Sequence, residues 1–180
     1  MSKFETEKME KQNTVNNLYE KGVSLFNEGV YNEAMKMWQT ILVLDPYGDC
    51  AKKMQEQDWI KRTNENINTS EAEKHLKRGS ILAEKNKIIE AATEWKLAVS
   101  TAPGNVSIKK AVNKLIDELI SDRSKMASDF YKENKVIDAM AEWNIILTID
   151  PENFAAKKGI EDANKFLKSF REEERQNLQY

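Results

Sequence analysis

The chain has 180 residues, a formal net charge of −2 and a pI of about 5.7, with 40% hydrophobic and 32% charged residues. So few prolines and glycines, beside abundant Glu, Lys, Ala, Leu and Asn, exclude a collagen-like or disordered chain and favour helices. Lys and Glu are interspersed as on solvated helix faces, without the basic stripe that grips nucleic acid, and a lone cysteine excludes an intramolecular disulfide and CxxC metal sites.

In chain order, MSKFETEKMEKQN lacks the apolar segment of a signal peptide. No stretch approaches the ~20 apolar residues of a membrane helix, so no direct membrane insertion is expected. The expected location is the cytoplasm, or the periplasm only where a signal peptide has been removed. A first helix is predicted from about Lys3 to Glu28, with Gly29 as its left-handed C-terminal residue. A second runs from about Asn32 to Leu44, where Ala34, Met37, Trp38, Ile41 and Leu44 share helical spacing. Pro46 stops it, because the residue before proline is pushed out of the α region. A helix Asp49–Arg62 follows, carrying Cys50 as a small buried hydrophobe and Trp59 as either a surface anchor or a packed residue. The polar TNENINTS, 63–70, reads as a linker, with Ser70 and Glu73 offering a capping box for the next helix. The pattern then repeats with Ala91, Trp95 and Ala98 before Pro103. Asn105 to about Glu133 reads as one helix of about 43 Å at 1.5 Å per residue, with Ile108, Val112, Leu115, Leu119, Met126 and Phe130 as its stripe. Ala139, Trp143, Ile146 and Leu147 precede Pro151. A last helix, Asn153 to about Arg175, is expected to cover the exposed end through Phe154, Ile160, Ala163, Phe166, Leu167 and Phe170.

Self-comparison makes the repeat explicit. An offset of 57 places Gly22 on Gly79, Glu33 on Glu90, Ala34 on Ala91, Trp38 on Trp95 and Pro46 on Pro103. An offset of 48 places Asn86 on Asn134, Ala91 on Ala139, Trp95 on Trp143 and Pro103 on Pro151. Each repeat reads as a helix A, a short turn, a helix B and a proline stop. Alanine and tryptophan four apart share one face of helix B, the alanine permitting close approach and the tryptophan filling the space beside it.

These residues resemble the tetratricopeptide repeat, a 34-residue helix–turn–helix whose signature includes Gly, Ala-x3-Phe and Pro. Gly22, Ala34, Trp38 and Pro46 match in repeat one, with Trp in place of Phe. Gly79, Ala91, Trp95 and Pro103 match in repeat two, and Ala127, Ala139, Trp143 and Pro151 in repeat three. The family's early Trp and Leu positions hold Leu18 and Lys21, His75 and Arg78, and Arg123 and Met126 instead. The period exceeds 34 by 23 and then by 14 residues. Fourteen residues are two heptads, which lengthen a helix while nearly preserving its apolar direction. The resemblance implies an all-α, right-handed superhelical array of three hairpins with lengthened helices and a C-terminal capping helix. It would form one elongated repeat domain over 1–180. Repeat one spans about 15–62 after an N-terminal helical extension, repeat two about 71–104, the long helix with repeat three about 105–152, and the cap about 153–175.

No glycine-rich phosphate loop occurs. His75 is the sole histidine, and its neighbours Lys74 and Lys77 give it no carboxylate, so a solvated position is expected. No catalytic residue, metal site or cofactor is expected. The resemblance implies a non-catalytic scaffold or adaptor that binds a protein or peptide on its concave helix A face. Carried over by motif position, that face comprises Asn16, Tyr19, Val23, Phe26 and Asn27, then Leu76, Ser80 and Ala83, then Ser124, Ser128, Tyr131 and Lys132, with Tyr19, Phe26 and Tyr131 foremost. Some family members clamp a C-terminal carboxylate with Lys and Asn at two helix A positions that here hold Tyr19 and Val23, so that clamp is not expected. The alternative readings are a structural or assembly component of a bacterial envelope or motility complex, open to self-association, and a secretion-type chaperone, against which the long period counts.

Overall fold

The computed structural model describes residues 2–177, and side chains as far as Arg175. It contains α1 (Lys3–Asn27), α2 (Tyr31–Leu44), α3 (Asp49–Glu56), α4 (Trp59–Glu84), α5 (Ile88–Thr101), α6 (Val106–Lys132), α7 (Val136–Ile149) and α8 (Phe154–Asn177), with no strand among the described residues. The protein is all-α. No helix among the described residues is long and apolar enough to cross a membrane.

Two helix lengths alternate. The helix A positions α1, α4, α6 and α8 have 25, 26, 27 and 24 residues, whereas α2, α5 and α7 each have 14. Each helix A is therefore nearly twice the length of a helix B. The A-to-B turns share one construction. Gly29, Asn86 and Asn134 fall in one register and carry φ of 79°, 59° and 60°. The following amide donates back to the penultimate turn each time: Val30 to Leu25 O at 2.8 Å, Lys87 to Leu82 O and Lys135 to Phe130 O at 2.9 Å. Glycine and asparagine tolerate this left-handed geometry, and a β-branched residue does not. Asn134→Val is therefore expected to lower stability by about 1–2 kcal/mol, read by thermal melting, while Asn134→Gly is tolerated. At the B-to-A turns, Asn105 Oδ1 accepts from the Ser107 and Ile108 amides at 3.1 Å, and Asn153 Oδ1 from the Ala156 amide at 3.1 Å. These side chains start α6 and α8 by satisfying donors that a helix start leaves open.

The polar segment 63–70 is not a linker. It lies inside α4, and Ser70 and Glu73 sit in mid-helix rather than at a helix start. The predicted helix Asp49–Arg62 is instead broken at Gln57 and Asp58, where Asp58 takes φ 53°. The nine residues by which the first offset exceeds the second are thus spent upstream, on α3 and its break. TNENINTS reads as a loop because asparagine is a weak helix former, but tertiary contacts override that preference. Thr63 is fully buried, with its hydroxyl donating to Trp59 O at 2.6 Å.

Contacts gather the chain into two compact bodies, Met1–Ala72 and Glu73–Tyr180, the division falling within α4. The N-terminal body packs α1, α2, α3 and the start of α4 around Val15, Ala34, Trp38, Ile41, Met54 and Trp59. In the C-terminal body, α6 serves two neighbours. Ile116, Leu119 and Ile120 pack with Ile88 and Ala92 of α5, while Ala127, Phe130 and Tyr131 pack with Val136, Ala139 and Trp143 of α7. Met126 departs from the predicted stripe and is exposed. α8 covers α7 through Ala156, Ile160, Ala163 and Leu167, as a cap should. Phe154, Phe166 and Phe170, which the sequence assigns to that cap, are exposed instead. Residues 168–175 of α8 are exposed throughout, and Val15 is the first buried residue of α1. Residues 2–14 and 168–175 are mostly polar, and their large apolar side chains, Phe4, Met9 and Phe170, are exposed.

Candidate protein-interaction surface

The repeated tryptophans are seated on glycines. A Cβ on Gly22 would lie 2.5 Å from the Trp38 ring, and one on Gly79 would lie 2.4 Å from Trp95. The signature glycine and tryptophan of repeats one and two are therefore a single contact between helix A and helix B. In repeat three, Ala127 occupies the glycine position and Trp143 turns to Gly159 of α8, where a Cβ would lie 2.3 Å away. Ala34, Ala91 and Ala139 are fully buried. Trp38 Nε1 donates to Thr63 Oγ1 at 3.1 Å. The α6 residue in register with Thr63, 48 residues on, is Ala111, which has no hydroxyl, and the buried Trp95 Nε1 has no hydrogen-bond partner among the described residues. Removing a made hydrogen bond costs about 1 kcal/mol, whereas an orphaned buried donor already carries its desolvation penalty. Trp38→Phe is accordingly expected to destabilise by about 1 kcal/mol more than Trp95→Phe, measured by denaturant titration.

The foremost helix A aromatics are engaged inside the molecule. Tyr19 Oη accepts from Trp59 Nε1 at 3.2 Å, and its ring tilts against Trp38 at 5.9 Å. Trp59 is buried and stacks on Trp38 at 5.6 Å, which identifies it as a packed residue rather than a surface anchor. Phe26 sets its edge on Trp59 at 4.9 Å, and the Arg62 guanidinium covers both rings at 5.1 and 4.6 Å. Val23 joins the same core, and Tyr131 packs against Trp143 and Phe166. Leu76 and Ser80 are half-buried, the Ser80 hydroxyl donating to Leu76 O at 3.2 Å. Asn16, Asn27 and Lys132 are exposed. Asn16 Oδ1 accepts from the Cys50 thiol at 3.3 Å, and burial raises the pKa of that thiol. Cys50 is the small buried hydrophobe its helix suggests.

His75 corrects a second expectation. It is half-buried, and its Nδ1 lies 2.7 Å from Glu94 Oε2, a carboxylate supplied by helix B rather than by sequence neighbours. Forty-eight residues on, the same positions hold Arg123 and Glu142, whose ion pair measures 3.0 Å with both side chains largely buried. The other arm of Arg123 donates to Asn86 Oδ1 in the turn before α5. Repeat one holds Leu18 and Met37 at these positions. One register thus holds a base and a carboxylate in two repeats and two apolar residues in the other. Sequence shows the Glu94–Glu142 register, but it cannot show which way the two side chains lean.

The N-terminal body carries an open apolar groove of about 600 Å³ lined by Leu42, Pro46, Ala51, Met54 and Ile60. Asp58, Lys61 and Glu65 line its edge, and no ion pair joins these three among the described residues. Most of its floor comes from α3, its break and the start of α4, the stretch in which the nine extra residues lie. Val43 and Tyr47, beside the groove residues Leu42 and Pro46, are 82% and 87% exposed, an unusual density of apolar side chains in water. The site is hidden in the sequence because Asp49–Arg62 has the pattern of one continuous helix. Its trace is the apolar set Leu42, Val43 and Tyr47 beside the first proline, joined by Leu44, which is exposed rather than part of the packed stripe. Among the described residues, no three His, Cys, Asp or Glu side chains gather so as to hold a metal ion. No protein-family model matches the chain, and no curated protein matches it.

Proposed function

We propose that this chain is a non-catalytic interaction module, an array of three tetratricopeptide-like hairpins closed by α8, which docks protein through the groove of its N-terminal body. The shared registers of the left-handed turns, the buried alanines and the proline stops support the array. The observation that carries the docking site is the placement of the nine extra residues. The α5-to-α6 junction does without them, so they are not needed to continue the array, and where they occur they open an apolar groove. Engagement of Tyr19, Phe26 and Tyr131 within the fold moves the docking surface to this groove.

The test is cross-linked capture from the native cell with wild type, Leu42→Glu, and an Asn27→Ala/Lys132→Ala double variant, all checked for unchanged helical content. Loss of bound protein with Leu42→Glu alone supports the groove. Loss with the double variant alone returns the site to the helix A face. Equal capture by all three removes the docking reading.

A further inference from the structure

We infer that the groove of the N-terminal body is occupied by a second copy of this chain, in a two-fold dimer where Tyr47 of each copy enters the groove of the other. The inference rests on the groove being a docking surface and names its occupant.

Three observations meet in it. First, knob and hole adjoin on one patch. Tyr47 is 87% exposed and follows Pro46, which floors the groove. A two-fold interface requires that adjacency, because the same patch must supply both halves of the contact. Second, the flanking side chains are suited to leave water with the knob. Val43 is 82% exposed and Leu42 38%, and a groove of about 600 Å³ has room for an aromatic ring with a neighbouring aliphatic chain. Tyrosine is also a residue type that anchors interfaces, since its ring buries a large area while its hydroxyl stays hydrogen-bonded at the edge. Third, the charges are self-complementary. Asp58, Lys61 and Glu65 present acid, base and acid along the start of α4, and no ion pair engages any of them among the described residues. A partner of one charge would leave a sign unmet at this edge, whereas a second copy brings both signs and can set each Lys61 against the other copy's acids. Because the contact is reciprocal it closes at two chains.

Sedimentation equilibrium of the full chain is expected to show a concentration-dependent shift from one to two chains and no further. Tyr47→Glu and Leu42→Glu, each with unchanged helical content, are expected to raise the dimer dissociation constant about thirtyfold or more. Mixing a Tyr47→Cys chain with an Asn64→Cys chain under mild oxidation is expected to cross-link the two kinds to each other, since Asn64 lines the groove. A chain that stays monomeric at millimolar concentration overturns the inference. So does a dimer that both variants leave intact, a mass that grows past two, or a mixture in which each cysteine chain cross-links only to its own kind. If Leu42→Glu abolishes capture of another protein while the wild type remains monomeric, the groove stands as a docking site and the second copy is excluded as its occupant.

Discussion

Replacing Trp38 by alanine is expected to cost about 3–5 kcal/mol, the range for removing a large aromatic from a closed core. Trp38 is fully buried, stacks on Trp59, meets Tyr19 and donates to Thr63. Its loss would leave a cavity bordered by the indole of Trp59 and the phenol ring of Tyr19. The converse lesion is Gly22→Ala. The added methyl would meet the Trp38 ring at 2.5 Å in mid-helix, where neither backbone shifts cheaply. Overpacking of this kind costs about 1–3 kcal/mol. The two effects are coupled, because the alanine methyl of one fits the space left by the other. Chemical denaturation of wild type, both single variants and the double variant gives the coupling directly. The double variant is expected to be more stable than the sum of the singles implies by about 1 kcal/mol or more. Strict additivity would show that Gly22 is small for some reason other than the tryptophan.

Arg123→Met alone is expected to destabilise the C-terminal body by about 3–5 kcal/mol, because it leaves the Glu142 carboxylate largely buried without its counter-charge. Asn86 also loses its donor from Arg123, but it is exposed and water replaces that bond. Changing both partners, as Arg123→Leu with Glu142→Met, reproduces what repeat one already has in Leu18 and Met37. A buried pair exchanged for apolar groups of similar volume is commonly neutral or more stable, so the double variant is expected to recover most or all of the loss. Thermal melting followed by circular dichroism distinguishes the outcomes. If the double variant is as damaged as the single, the position depends on charge for its geometry.

Much of the fold could be read from periodicity. The Ala–Trp spacing located each helix B, and Pro46, Pro103 and Pro151 located its end. The long helix from Asn105 to Glu133 proved correct to its capping residues. What escaped the sequence was decided by contacts between residues distant along the chain. TNENINTS has loop composition, yet Thr63 is buried beneath Trp38, and a hydroxyl satisfied in that way belongs to a helix. The break at Asp58 left no sign, because aspartate enters the left-handed region without a glycine to announce it. For the candidate site, helix A positions were identified but their occupancy was not. Tyr19 and Phe26 look like contact residues until Trp59, forty and thirty-three residues on, is folded onto them. The aromatic edge that remains in water lies beside Pro46 instead.

The double duty of α6 has a consequence for how the C-terminal body comes apart. Its middle packs against α5 and the end of α7 and its last turns against the start of α7, with Arg123 between them bonded forward to Glu142 and back to Asn86. A helix cannot readily keep one half wound while the other dissolves in mid-span, since the hydrogen-bonded turns between them would have to break first. Loosening either neighbour therefore strains the other. Hydrogen exchange across α5, α6 and α7 should consequently report a single shared opening energy, with only residues 168–175 at the outer end of α8 exchanging ahead of it.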